Sequence, residues 1–287
     1  MSGGFIGLAA WLVGARQLPP LCLLPLFAAA VACAFAAEAW LPYERDWNRD
    51  HGDRRRDLAH ALVNETLNVL SLAVIPLLAS LRPWSSPWPS QAPFWAQLLL
   101  AIVVADCGIT LAHWLSHRWR PLWRLHAVHH SVLRLYGFNG LMKHPLHQAV
   151  EALFGIGPLL LAGMPADVAS VLALAIAVQL LLQHGNVDMR PGPLNRVFAW
   201  APLHRYHHIR YGEAGDVNFG LFFTVWDRLL GTAFDGNGYR IGGADLGIGS
   251  RPDYPSGYRA QLAEPFRRRI EQASPQAPAA LRRPSRD

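Results

Sequence analysis

Four apolar runs, parted by charged or proline-rich stretches, constrain this chain more than any other feature. They cover residues 21–41, 58–81, 94–117 and 145–185, and a helix needs about 20 apolar residues to cross a bilayer. Inside lipid the backbone can satisfy its N–H and C=O groups only within the segment, so the runs are expected to be helices. The last run is interrupted at Gly163-Met-Pro165-Ala-Asp167 and reads as a helical hairpin. Residues 5–15 are apolar but too short to span, which suits an interfacial or re-entrant piece. No basic stretch precedes them, as a signal peptide would require. The predicted fold is therefore an all-α integral membrane protein, with about three spans plus a helical hairpin under a helical cap.

Charge supports the same reading. Hydrophobic residues make up 52% of the chain and charged ones 16%, against about 25% charged in ordinary soluble domains. The net charge of +6 comes with no basic helix or RNA-binding motif, so a nucleic-acid partner is not expected. The segment 42–57, with five arginines and five acids, should lie in water, and the connector 82–93 (RPWSSPWPSQAP) should turn at the far interface. If spans and hairpin alternate, residues 42–57, 118–143 and 186–287 share one face. That face holds all but Arg16 and Arg82 of the 26 basic residues, which makes it cytoplasmic by the positive-inside rule. Lys143 is the only lysine, an arginine bias that suits a GC-rich bacterial genome and hence a bacterial inner membrane. Cys22, Cys33 and Cys107 lie in apolar runs without CxxC spacing and read as small buried hydrophobes.

Eight of the 13 histidines fall in three short words. They are His113-Trp-Leu-Ser-His117, His126-Ala-Val-His129-His130 and His204-Arg-Tyr-His207-His208. On a helix, positions i, i+3 and i+4 share a face, so each word aims its imidazoles at one place. One such histidine is more often a satisfied core residue. Three spaced words without cysteine point instead to a metal site, and more ligands than one ion accepts point to two metals. His184 closes the hairpin on the same face and is a ninth candidate ligand; His144, at the other end of the hairpin, is a further candidate near the site, with His147 weaker. Asp106, seven residues before His113, is placed to accept an imidazole N–H, or else to pack between helices. Asp188 follows His184 by four residues and is a candidate ligand or outer support. His60, Asn64 and Asn68 form a polar stripe better suited to inter-helix hydrogen bonds than to metal.

These words in a membrane context resemble the fatty acid hydroxylase / sterol desaturase superfamily of integral-membrane histidine-rich di-iron oxidases. The similarity continues in Lys143-His144-Pro145, in Gln183-His184-Gly-Asn186, and in Asn218-Phe-Gly220 followed by Phe223-Thr-Val-Trp226-Asp227-Arg228-Leu-Leu-Gly231-Thr232. It covers about residues 58–235. The chain departs from some members at His147 and at Asp188, where they carry glutamate and histidine. The resemblance divides the chain into an N-terminal membrane segment with its charged loop (1–57), the oxidase domain (58–235), and a Gly-rich segment with a disordered Arg/Pro-rich tail (236–287). It implies two iron ions, with zinc as a stand-in on isolation, and O2 as co-substrate for attack on an unactivated C–H bond of a sterol, fatty acyl or related lipid. Asn218 enters as an additional or outer residue on the same ground. No dinucleotide, iron–sulfur or haem motif is present, so the electrons are expected from a separate ferredoxin or cytochrome b5-like donor with its reductase. The competing expectations are a desaturase with the same site, a bis-histidine haem carrier, a metal transporter and a non-catalytic zinc scaffold.

Overall fold

The computed structural model describes residues 2–80 and 85–282, the side chains of 2, 72–80 and 237 apart. The end of the second apolar run and the start of the proline-rich connector, Arg82 included, lie outside the described residues. Helix α1 (Ser2–Ala10) continues through a wider turn to Ala15. Then come α2 (Leu23–Trp40), α3 (Arg54–Ser80), α4 (Phe94–Arg118), α5 (Arg120–His130), α6 (Pro145–Gly155), α7 (Gly157–Ala162), α8 (Ala166–His184), α9 (Ala201–His204), α10 (Val225–Leu230) and α11 (Tyr258–Ala263). Among the described residues there is no β-strand, only isolated bridges such as Pro42 to Val187.

Among the described residues three helices are long and apolar enough to cross a membrane: Pro20–Trp40, Phe94–Arg118 and Ala166–His184. The expected second span is helical, as α3. Its N-terminal half carries a polar stripe. Asp57, His60 and Asn64 are buried, and Asn64 donates to the carbonyls of Leu141 (2.8 Å) and Lys143 (3.0 Å). The hairpin's first arm is broken between α6 and α7, where Pro158 supplies no N–H and its ring blocks a straight helix. The arm ends on Gly163, whose left-handed φ of 90° closes the turn. The short N-terminal piece does not stay at the surface: Ala9 and Val13 are buried in the main apolar core.

Helix α8 forms the axis of the bundle, with 72% of its apolar window buried against 17% for α2. Helices α4 and α6 cross at closest approach through glycine. A Cβ on Gly108 would stand 2.1 Å from the Phe154 carbonyl oxygen, and one on Gly155 would stand 2.6 Å from Ile109 Cγ1. Only hydrogen fits there, as at small-residue crossings within membranes. Gly108→Leu should therefore cost about 3 kcal/mol or more, since neither backbone can yield. Loss of the monodisperse peak in detergent gel filtration is the expected result; a normal elution profile would contradict this packing.

Above the spans sits a cap with its own core, in which Trp47, Leu135, Met142, Ile241 and Leu246 are buried. Beside α5 and the short helices α9, α10 and α11 it is built of 3-10 turns and loops. The charged segment 42–57 does not simply lie in water. Arg134 donates to Asp53 (2.7 Å), and Tyr136 to the fully buried Asp57 (2.9 Å), so paired charges draw the segment under the cap. Glu38, at the end of α2, accepts from the backbone N–H of Gly137 (2.7 Å) and Asn186 (3.0 Å), which ties span to cap. The tail expected to be disordered from Glu264 also touches the cap. Glu264 is buried beside Arg251 (2.7 Å), and Leu281 is buried in the cap core.

Candidate metal centre

Two of the three candidate spans, α4 and α8, end on the histidines. Helix α4 carries His113 and His117 in its last turns; Trp119 is then extended, and Pro121 opens α5, where a missing N–H costs nothing. The turn folds α5 back so that His126 and His130 face the α4 pair while His129 faces His184 of α8. Helix α8 brings His184 up through the bundle axis. The third word starts on the last residue of α9 and runs on as a 3-10 turn, which sends His204 and His208 to one group of imidazoles and His207 to the other.

The nine histidines separate into two groups. His113, His117, His126, His130 and His207 form one; His129, His184, His204 and His208 form the other, each group drawing one ring nitrogen per residue to within 4.8 Å. In the first group Nε2 of His113 is 2.8 Å from that of His207, and His130 Nε2 lies 3.0 Å from His126 and 3.2 Å from His117. In the second, His184 Nε2 lies 3.1 Å from both His129 and His204, and 3.2 Å from His208. The first and second words each contribute as expected, but the second and third are split across the two groups.

The other ring nitrogen shows what these contacts are. Nδ1–H of His113 donates to the Phe219 carbonyl (3.0 Å), of His207 to Val217 (2.9 Å), of His129 to Met142 (3.0 Å), and of His184 to Leu180 (3.0 Å). His204 does the same toward Asn218 at 3.4 Å, and His117 toward the Asp216 carboxylate at 2.8 Å. An imidazole whose Nδ1 carries the proton has a bare lone pair on Nε2. His113 with His207, His129 with His184, and His184 with His204 thus turn lone pair to lone pair. A proton between them is opposed by burial, which holds His129, His204 and His207 far below the usual imidazole range. A metal ion answers the repulsion. Two nitrogens each ~2.1 Å from one ion at a right angle stand ~3.0 Å apart, and the observed separations agree.

Other expected residues fall elsewhere. Asp106 accepts no imidazole N–H. Its carboxylate takes the backbone N–H of Leu221 (3.1 Å), Phe222 (2.8 Å) and Phe223 (3.0 Å), and the Trp226 indole N–H (2.7 Å). Asp227 grips the preceding residues, accepting from Phe219 (2.7 Å) and Gly220 (2.9 Å). Between them they pin the loop that presents the carbonyls of Val217, Asn218 and Phe219. Asn218 takes a left-handed φ of 52°, held by its amide to Leu203 (2.9 Å) and Phe234 (2.8 Å). His144 is outside the centre: it caps α6 by accepting from Leu146 N–H and lies 3.2 Å from the Leu262 carbonyl. Asp188 pairs at 2.9 Å with exposed Arg190, because the chain turns away after Asn186. His147 is in neither group but packs on the His126 ring at 4.4 Å and reaches Ser116 Oγ at 2.9 Å. The stripe of His60 and Asn64 serves helix contacts, as expected.

Sequence reasoning missed Asp216, which sits in a short loop with no motif of its own, and the backbone carbonyls, which no residue type announces. Asp216→Asn should weaken metal in the first group by about 10–100-fold. A chelator titration of the purified protein measures this, and an unchanged competition curve would remove Asp216 from the account.

A helical membrane protein in which two candidate spans end on a pair of imidazole clusters, each able to hold a metal ion, is the class these features define. Comparison narrows it. The fatty acid hydroxylase family profile matches residues 98–232. The chain is 35% identical over 253 residues to the ornithine lipid hydroxylase OlsE of Rhizobium tropici, covering 85% of this chain and 75% of that one. It is 31% identical over 149 residues to alkylglycerol monooxygenase of Danio rerio, covering 51% of this chain and 31% of that one. The Homo sapiens alkylglycerol monooxygenase is 29% identical over 153 residues, 52% of this chain and 32% of that one. No solved structure matches. The chain belongs to the fatty acid hydroxylase family.

Proposed function

We propose that this protein is a membrane-bound di-iron oxygenase that hydroxylates a C–H bond of a lipid, with one iron in each histidine group. The observation that carries the reading is the set of buried Nε2 lone pairs turned on one another at metal-ligand spacing. An imidazole-only donor set suits zinc as well as iron. Membership of a family whose named relatives are hydroxylases and monooxygenases favours a redox metal, and zinc has no redox chemistry. Bound iron would supply the activation of O2; the net reaction joins one oxygen atom to carbon and reduces the other to water with two electrons and two protons.

The chain's own part is positioning. The carbonyls of Phe219, Val217, Met142 and Leu180 fix ring orientation and tautomer, and the burial of all nine histidine side chains keeps water from the centre. The likeness to the ornithine lipid hydroxylase makes a lipid with an ornithine-type head the first substrate to try. The ends of α2, α4 and α8 lie on the histidine side, and by positive-inside that side is the cytoplasmic face of a bacterial inner membrane. A separate electron donor docks on the cap. A bis-histidine haem is disfavoured by geometry: two axial nitrogens stand ~4 Å apart across one iron, whereas here four or five crowd together.

Turnover under 18O2 with a reconstituted reductase and mass spectrometry of the extracted lipid tests the reading. One labelled oxygen atom in the product is the expected result. A product two hydrogens lighter and unlabelled would make the protein a desaturase, and absence of iron with full zinc occupancy and no turnover would favour a scaffold.

A further inference from the structure

A cavity of about 740 Å³ opens on the outer side of the third histidine word. It is walled by Arg196, Arg205, Arg228 and Arg240, with Leu203 and Asn218 at the side next to His204. Two carboxylates, Asp188 and Asp235, also line it, and Asp188 is taken by Arg190. Among the described residues none of the four guanidinium groups makes a salt bridge with a carboxylate.

Arg205 is the informative one. Its side chain is 3% exposed, donates only to the carbonyls of Gly185 (2.9 Å) and Val187 (2.7 Å), and lies over the Tyr43 ring at 3.9 Å. Its Nε–H has no acceptor. A buried guanidinium with an open donor and no carboxylate at ion-pair distance is costly unless an anion completes it. Arg240 lies over the same Tyr43 ring at 4.1 Å, so two cations flank one side of the cavity.

Position says where the anion comes from. Tyr43 follows the end of α2 at Trp40, and Gly192–Arg196 follows the end of α8 at His184, so the cavity stands at the level where these spans leave lipid. Beside Arg196 and Arg228 the rim is apolar and open: Leu194 is 49% exposed, Val197 47%, Val225 45% and Leu229 74%. Exposed aliphatic side chains interleaved with arginine mark a headgroup-level surface.

We propose that this cavity seats an anionic group, a carboxylate or phosphate, in the head of the lipid substrate. The proposal rests on the lipid-hydroxylase reading for the word substrate, and on the cavity alone for the anion. Arg205 supplies the buried, fixed contact and Arg196 and Arg240 the open ones. The wall of Leu203 and Asn218, behind which His204 stands, would then hold the head near the metal centre.

The full chain in detergent can be titrated by calorimetry with three probes: N-decanoylglycine, its methyl ester, and acetate. The acid should bind at least about tenfold more tightly than the ester, the effect of one charged contact, and acetate much more weakly than either. The surface variant Arg196→Gln with Arg240→Gln should reduce the preference several-fold, Arg205 keeping the remainder, while bound metal stays unchanged. Equal affinity for acid and ester, or a preference the double variant leaves intact, would overturn the proposal. Acetate binding as tightly as the acid would make the cavity a site for free anions, which also overturns it. If the variant leaves acid affinity alone but slows reduction by an acidic donor protein, the arginines serve a protein partner and the proposal fails. Acid-selective binding in a protein that hydroxylates no lipid would leave the cavity assigned and sink the functional reading instead.

Discussion

His207→Ala is expected to lower bound metal from about two ions per chain to about one, and His204→Ala to do the same by emptying the other position. The reason is the partition of ligands, since His207 belongs to the first group and His204 to the second. Pairs of substitutions then separate the groups. His113→Ala with His207→Ala should still leave about one ion, because both act on a single position, whereas His204→Ala with His207→Ala should leave almost none. Turnover should vanish in every case, beyond the about 100-fold typical of outer residues such as Asp216. Elemental analysis of purified variants, with circular dichroism to show intact helix, reads the result. Two ions retained in the cross-group double variant would refute the assignment, and equal loss in both doubles would mean one shared centre.

Acid should unfold the metal-free protein in a narrow window. Burial, with neighbouring imidazoles adding to it, holds His126, His129, His130, His204, His207 and His208 well below the ordinary histidine range in the folded state. In the unfolded chain they titrate near ~6.5. Above that pH both states are neutral and nothing is lost. Below it the unfolded state binds protons that the folded state refuses, so stability falls with pH at about 1.4 kcal/mol per unit for each histidine. Six together consume a typical stability of about 5–15 kcal/mol within about two pH units. The metal-free protein should therefore lose its fold between about pH 6.5 and pH 4.5, by tryptophan fluorescence in detergent. Bound metal stabilises the deprotonated folded state and should move the midpoint lower. A metal-free protein unchanged at pH 4 would show that the rings are hydrated rather than buried.

Much of this was legible in the residues. The apolar runs announce helices because lipid leaves the backbone no other partner, and the runs at 21–41, 94–117 and the second half of 145–185 became candidate spans. The three histidine words and His184 announce the centre because i, i+3 and i+4 spacing converges side chains locally. All nine residues came together.

The tertiary structure decided the rest, and the common reason is long range. Nothing within HxxHH tells that His129 joins His184 while His126 and His130 join His113, since that partition depends on where α4, α5 and α8 cross. Asp106 reads as a partner for the imidazole seven residues along its own helix, yet it holds Leu221, Phe222 and Phe223 more than a hundred residues away. The charges of 42–57 looked solvated because Asp53 and Asp57 find Arg134 and Tyr136 only once the cap has folded over them. Local spacing by itself determined the helices and the convergence of imidazoles; the packing of distant elements determined which imidazoles share a position, which carbonyls orient them, and which arginines were left facing a cavity.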